Sequence, residues 1–169
     1  MTELKELMLQ PQRRTLAVAE SLTCGRVQAR IGLISGASDF FLGGITAYSL
    51  DQKVRHLGVD RAVAEPVNSV SAAIAEQMAR GVCALFRSEL GLATTGYAEP
   101  FDAARGGSPA AGVAQPFAWW ALAHDLGGGR WTVRSGRIEC PGATRPQVQE
   151  KVAETAVAEL VKYLRELRG

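Results

Sequence analysis

The sequence is poor in the residues that build disulfide frameworks and metal sites. Its three cysteines, Cys24, Cys83 and Cys140, are an odd number without a Cys-x-x-Cys spacing, which argues against both a disulfide framework and a zinc site. Only two histidines are present, His56 and His124. We therefore expect reduced thiols in a cytoplasmic protein that uses no metal and no other cofactor.

Long apolar stretches and a strong excess of one charge are also missing. No segment approaches the roughly 18 consecutive apolar residues of a transmembrane helix, and the N-terminus lacks the apolar core of a signal peptide. The formal charge is only +2, and no stripe of Lys and Arg with interleaved aromatic residues follows the chain. We expect a cytoplasmic location and neither a membrane nor a nucleic acid partner. Homo-oligomer assembly is left open.

The apolar pattern predicts a chain of alternating helices and strands within one domain, residues 1–169. A capping box of Thr144 and Gln147 marks the start of the last helix, and Ser71 is a natural N-cap. The glycines at 127–129 indicate a hairpin turn. Strands are predicted at 15–20, 43–49, 90–95, 116–124 and 130–140, helices at 1–10, 26–34, 50–57, 71–88 and 144–167, and a long loop at 96–115.

Mostly continuous apolar strands separated by helices are typical of the α/β class. The predicted fold is a three-layer α/β/α sandwich around a mixed, mostly parallel sheet, in which the hairpin supplies the antiparallel part.

The most informative segment is the turn that follows the first predicted strand. It places Ser21 and Thr23 at the carboxyl end of a buried strand, where open α/β sheets bind their ligands. The backbone N–H groups of the next helix are expected to face an oxyanion or a phosphate there. The other interpretation is that the serine and threonine only cap the helix.

Several ordered motifs resemble the CinA C-terminal domain family, the nicotinamide-nucleotide amidases. AESLTCG at 19–25 is similar to the family's AESCTGG, and TGYAEP at 95–100 is similar to its TGIAGP. Between them lie matching segments at 35–41, 43–49 and 57–59, and the helix start at Val70-Ser71. The resemblance covers about residues 10–165 and implies the family's α/β/α fold.

The resemblance also implies an activity, the hydrolysis of nicotinamide mononucleotide to nicotinate mononucleotide and ammonia in pyridine nucleotide salvage. Ser21 would be the nucleophile, Lys53 the general base and Tyr48 a positioning hydroxyl. A buried lysine has a lowered pKa, so it can take the serine proton. Neither histidine lies in a matching motif, which favours Ser-Lys over Ser-His-Asp. The residues that would line the substrate site are Thr23, Gly25, Thr95, Gly96 and, on the phosphate, Arg145.

The sequence departs from the family pattern where substrate would be recognised. Leu22 and Cys24 replace the family's Cys and Gly, Glu99 replaces a glycine, the segment 101–117 replaces a loop with a lysine, and Gln149 replaces an arginine of the last helix. A carboxylate at Glu99 would weaken the binding of a phosphorylated nucleotide, less so if Arg105 neutralises it.

Two hypotheses therefore stand side by side. One is an active amidase, on nicotinamide mononucleotide or a related amide. The other is a divergent paralogue that binds a ligand without turnover. The three tryptophans, Trp119, Trp120 and Trp131, are expected to serve as core or edge-strand packing rather than as a stacking platform for nicotinamide.

Overall fold

The computed structural model describes residues 2–102, 104 and 112–169. Within them a sheet of five strands runs in the order β2-β1-β3-β4-β5. Its strands are β1 (Leu16–Glu20), β2 (Phe41–Thr46), β3 (Leu90–Tyr97), β4 (Phe117–Asp125) and β5 (Trp131–Glu139). The helices are α1 (Thr2–Leu9), α2 (Arg26–Gly32), α3 (Leu50–Leu57), α4 (Arg61–Ala64), α5 (Ala72–Phe86) and α6 (Arg145–Glu166).

Alternation of side-chain size along the central strands gives the sheet two different faces. The face that carries Leu16, Val18 and Leu92 packs against α1, α2 and α6, and the face that carries Ala17, Ala19 and Ala93 packs against α3 and α5. The second face needs small residues because α5 lies very close to it. A Cβ on Gly91 would be 2.0 Å from the carbonyl oxygen of Ala79. The three-layer α/β/α sandwich is confirmed.

The sheet is mixed, as expected, but parallel pairing is not in the majority. β1 pairs in parallel with β2 and β3, whereas β3 with β4 and β4 with β5 are antiparallel. The predicted hairpin is therefore confirmed, with Gly127, Gly128 and Gly129 all at positive φ, which glycine adopts without steric cost. The capping box of Thr144 and Gln147 is also present.

Two boundaries differ from the prediction near the site. β2 ends at Thr46, so Tyr48 and Ser49 lie in the connection to α3 rather than in a strand. Gly96 and Tyr97 pair with β4 and extend β3, so the long loop begins at 98 rather than 96. The ends of this loop meet in a bridge between Phe101 and Val113. Its residues 103 and 105–111, with Arg105, lie outside the described part of the chain.

Candidate active site

Ser21 lies directly after β1, at the carboxyl edge of the parallel strands. Its N–H continues the β1–β3 pairing by donating to Thr94 O at 3.0 Å, so the sheet fixes its backbone. The chain then turns sharply through Cys24 and Gly25, both at positive φ, into α2. A hydroxyl at such a turn faces the end of the sheet, which is where the sequence predicted a ligand site.

The turn is held by the buried carboxylate of Glu20, which the sequence analysis did not single out. Glu20 is fully buried and accepts hydrogen bonds from the N–H groups of Gly25 at 2.9 Å, Val27 at 3.2 Å and Gln28 at 2.9 Å. A negative charge at the start of α2 is stabilised by the unpaired N–H groups of the first turn. These donors are therefore occupied, and the expectation that they face an oxyanion or a phosphate is wrong.

Lys53 reaches Ser21 from α3. Its Nζ lies 3.0 Å from Ser21 Oγ and donates to the carbonyl oxygen of Tyr48 at 2.8 Å. The side chain is only 2% exposed, and burial lowers its pKa from 10.5 to about 8, because a charged ammonium loses its hydration there. A buried lysine without a carboxylate partner is costly, and here it is paired with a serine hydroxyl in place of an acid.

A cavity of about 320 Å³ opens over this pair. The described residues that line it come from the ends of β1 and β3, from α3 and the connection before it, from the segment before α5 and from the start of α6. They include Ser21, Leu22, Tyr48, Lys53, Asn68, Ser69, Thr95, Gly96, Glu99, Asp102 and Arg145. Neither histidine lines the cavity, so the pairing of serine with lysine has no imidazole competitor in the described part of this site.

Arg145, at the start of α6, spans one wall of the cavity. Its guanidinium donates to Glu99 Oε1 at 3.1 Å and to the Tyr48 hydroxyl at 2.6 Å. The tyrosine ring is 53% exposed. The hydroxyl of Tyr48 is thus bound to Arg145, and it is the main-chain carbonyl of Tyr48 that contacts Lys53. The positioning role of the Tyr48 hydroxyl stays a prediction, and Arg145 is a partner of Glu99 among the described residues.

The other predicted substrate contacts divide into two groups. Thr95 and Gly96 line the cavity, with the Thr95 hydroxyl donating to Ser69 O at 2.7 Å. The structure does not place Thr23 and Gly25 there. Thr23 is fully buried with its hydroxyl 2.7 Å from that of Thr94, and the N–H of Gly25 is taken by Glu20.

Two further features of the site are the contact of Gln149, which the sequence showed only as a replacement for an arginine, and the backbone at Asn68 and Ser69. Gln149 is buried and its Nε2 donates to the Leu22 carbonyl at 2.7 Å, which ties α6 to the residue after Ser21. Asn68 and Ser69, which line the cavity, both have positive φ, at 49° and 60°. Two consecutive non-glycine residues in the left-handed region store strain of a kind that clusters at ligand sites.

The tryptophans lie away from this cavity. Trp120 is buried in the core on the α6 side of the sheet. Trp119 and Trp131 pack at the edge of the core between the sheet and helices α3 and α5. The prediction that they serve as packing residues is confirmed. None of the helices in the described ranges is both long and apolar enough to cross a membrane.

Comparison with known sequences identifies the family. The family described as "CinA C-terminal domain" matches residues 1–164. The chain belongs to the CinA C-terminal domain family. A CinA-like protein of Chlorobium limicola is 35% identical over 162 residues, and one of Chlorobaculum tepidum is 34% identical over 160 residues. The alignments cover 96% and 95% of this chain but 36% of each relative, so the chain spans about a third of their length.

Solved structures of the CinA superfamily share the fold. A superfamily protein from Klebsiella pneumoniae superposes with a TM-score of 0.82 at 22% identity, over 98% of this chain and 95% of that one. A competence or damage-inducible protein from Enterobacter asburiae gives a TM-score of 0.76 at 23% identity, over 96% and 92%. At such identities the likeness shows a shared fold. This chain and these proteins have the same sheet with helices on both of its faces.

Proposed function

We propose that this CinA-type domain is a Ser-Lys amidohydrolase of the nicotinamide mononucleotide deamidase type. The observation that carries the proposal is the distance of 3.0 Å between Lys53 Nζ and Ser21 Oγ at the floor of a cavity, with Lys53 buried and its pKa lowered to about 8. A serine becomes a nucleophile when a neighbouring group takes its proton, and a lysine does this only as the neutral amine.

The contacts of Lys53 suit this role. An N–H of the amine donates to the Tyr48 carbonyl, which orients the nitrogen so that its lone pair can accept the Ser21 proton. As Ser21 Oγ bonds to the carboxamide carbon, its proton moves to Lys53. The lysine then returns it to the leaving nitrogen, so that ammonia departs and an ester on Ser21 remains. Water attacks the ester by the same proton route and releases the carboxylate.

The developing oxyanion needs donors other than the start of α2, since Glu20 already occupies them. The N–H of Leu22 is the candidate, because it follows the nucleophile and donates to no acceptor among the described residues. Backbone donors of this kind contribute several kcal/mol to the stabilisation of a tetrahedral intermediate. Gln149 holds the Leu22 carbonyl, which belongs to the next peptide, at 2.7 Å and so restrains the residue that carries this N–H.

The second candidate function is ligand binding without turnover, or turnover of a different amide. It is favoured by the cavity wall that carries Arg145 and Glu99. Arg145 is the cation expected on the substrate phosphate, and it is already bound to Glu99 at 3.1 Å. Glu99 and Asp102 both line the cavity, and carboxylates repel a phosphate. The amidase remains the stronger proposal, because a non-catalytic site has no need of a buried lysine beside a serine.

One experiment separates the two. The protein is incubated with nicotinamide mononucleotide and, separately, with nicotinamide riboside, and both ammonia and the acid product are quantified. Binding of each ligand is measured in parallel by calorimetry. Ammonia with a matching amount of carboxylate supports the amidase, and its yield with the two ligands shows whether the phosphate is accepted. Binding without ammonia at any pH between 7 and 9.5, roughly spanning the pKa of Lys53, supports the ligand-binding paralogue.

A further inference from the structure

A second cavity, larger than the one over Ser21, lies at the other end of the strands, where β1 and β3 begin. It has a volume of about 900 Å³, in the range of cavities that hold drug-sized molecules. It is formed where β3 begins and β4 ends, below the C-terminus of α5 and beside the segment that leads into β1. Its residues are not needed for the Ser21-Lys53 chemistry.

Three arginines line this cavity: Arg13, Arg14 and Arg87. None of them takes part in an ion pair of the described residues, whereas most other described arginines do. Guanidinium groups match phosphate oxygens with two parallel hydrogen bonds, so three unpaired ones around a single cavity favour a multiply charged phosphate ligand.

The two carboxylates that also line the cavity are engaged with backbone groups. Glu89 Oε2 accepts from the N–H of Thr15 at 3.0 Å, and Asp125 Oδ1 accepts from the N–H of Gly127 at 2.8 Å. Each carboxylate thus stabilises the loop beside it, and none of the three guanidiniums has an ion pair among the described residues. Arg14 donates to Gln12, to its carbonyl oxygen at 3.4 Å and to its Oε1 at 3.5 Å, which are long contacts. Three positive charges against two negative ones leave the cavity with an excess of positive charge before any contribution from histidine.

A buried imidazole supplies a fourth donor. His124 lines the cavity, is 6% exposed, and has its Nδ1 2.8 Å from the Tyr163 hydroxyl. No hydrogen bond of the described residues involves its Nε2. When the tyrosine hydroxyl donates to Nδ1, the proton of the neutral ring is on Nε2, which can then donate to an anion. A ring N–H without a protein acceptor at the wall of a cavity is a group to which an anion can bind.

The backbone conformation and the apolar residues of the lining also indicate a ligand site in this cavity. Gln12 and Arg87, both at the cavity, have positive φ of 74° and 56°, a strained conformation for residues with side chains. Trp131 and Leu126 also line it. A lone phosphate would leave these apolar surfaces uncovered, whereas an organic anion would cover them.

We propose that this second cavity binds a phosphorylated organic anion of nucleotide size, with its phosphates on Arg14, Arg87 and His124. The cavity and the Ser21 site are at opposite ends of strands β1 and β3, so the proposal does not depend on the amidase. It concerns a ligand that is bound and not consumed.

The two histidines make a sharp test possible. Nitrogen-15 NMR of the imidazoles is recorded while ADP, inorganic pyrophosphate or adenosine is added to the Ser21→Ala protein. ADP is expected to shift the signals of His124 and to leave those of His56, on α3, unchanged. Pyrophosphate should give a weaker effect on the same ring, and adenosine none. Equal binding of ADP and pyrophosphate would overturn the organic part of the proposal.

Substitution of the arginines completes the test. By calorimetry, Arg14→Gln and Arg87→Gln should each weaken ADP binding about tenfold, the loss of one charge-assisted contact. The control Arg165→Gln, which removes an exposed arginine paired with Glu3, should leave it unchanged. The proposal is overturned if millimolar ADP leaves His124 unshifted. It is also overturned if the affinity for ADP is unchanged by both Arg14→Gln and Arg87→Gln.

Discussion

Replacement of Lys53 by methionine should abolish activity and yet stabilise the protein at neutral pH. The folded protein holds the pKa of Lys53 at about 8, whereas the unfolded chain has the ordinary value of 10.5. The unfolded state therefore binds more protons between these values, and stability rises with pH across this window. Below pH 8 the full cost of burying the ammonium is present, and it disappears as pH rises towards 10.5.

The size of the effect follows from the two pKa values. A lowering from 10.5 to about 8 corresponds to about 3 kcal/mol of lost stability at pH 7, at 1.36 kcal/mol per tenfold change in the proton equilibrium. Methionine fills a similar volume without this cost but loses the contacts to Ser21 and Tyr48, each worth about 1 kcal/mol. We expect Lys53→Met to be about 1 kcal/mol more stable than the wild type at pH 7.

The assay is urea unfolding of both proteins at pH 7 and pH 10. The difference between them isolates Lys53 from other groups that titrate in this range. Between pH 7 and pH 10 this difference in the free energy of unfolding should change by about 2.5 kcal/mol in favour of the wild type. Lys162→Met, at an exposed position of α6, is the control and should show no such change. A variant that is less stable than the wild type by the same amount at both pH values would refute a lowered pKa.

Three further substitutions test how the site is held. Glu99→Gln releases Arg145 and should tighten the binding of nicotinamide mononucleotide, by no more than about fivefold because this ion pair is exposed; calorimetry that shows weaker binding would contradict this. Glu20→Gln should cost about 2 kcal/mol in urea unfolding and lower turnover, whereas the exposed Glu154→Gln should do neither. Gln149→Ala should lower the rate of ammonia release while the free energy of unfolding falls by only about 1 kcal/mol, and an unchanged rate would remove it from the site.

Much of the fold was predictable because its signals are local. Periodicity of apolar residues located most of the strands and helices, and the Gly127–Gly129 turn and the Thr144–Gln147 capping box specify their own geometry. The balance of parallel and antiparallel pairing was less predictable, since it depends on which strands lie side by side. The connection before α3 was misplaced because Ala47 and Tyr48 favour a strand, yet here Tyr48 contributes its carbonyl to Lys53.

The site was predictable at its centre and not at its edges. Ser21 and Lys53 are 32 positions apart, and the motif resemblance placed both in the same site. No motif indicated the hydrogen-bond partners of the other polar side chains in the site. Glu20 could have been anticipated as a buried acid just before a glycine-containing helix start, whereas the contact of Gln149 with Leu22 spans 127 positions and depends on how α6 packs.

The most direct test of the central claim is the initial rate of ammonia release from nicotinamide mononucleotide, compared between the wild type, Ser21→Ala and Ser38→Ala. Ser38 is an exposed serine outside the cavity and serves as the matched control. The rate of the wild type should rise with pH through about 8 and level off above it, as Lys53 becomes neutral. Ser38→Ala should match the wild type, and Ser21→Ala should lose at least about a thousandfold in rate while unfolding at a similar urea concentration. A folded Ser21→Ala protein that releases ammonia at the rate of the wild type would contradict the account.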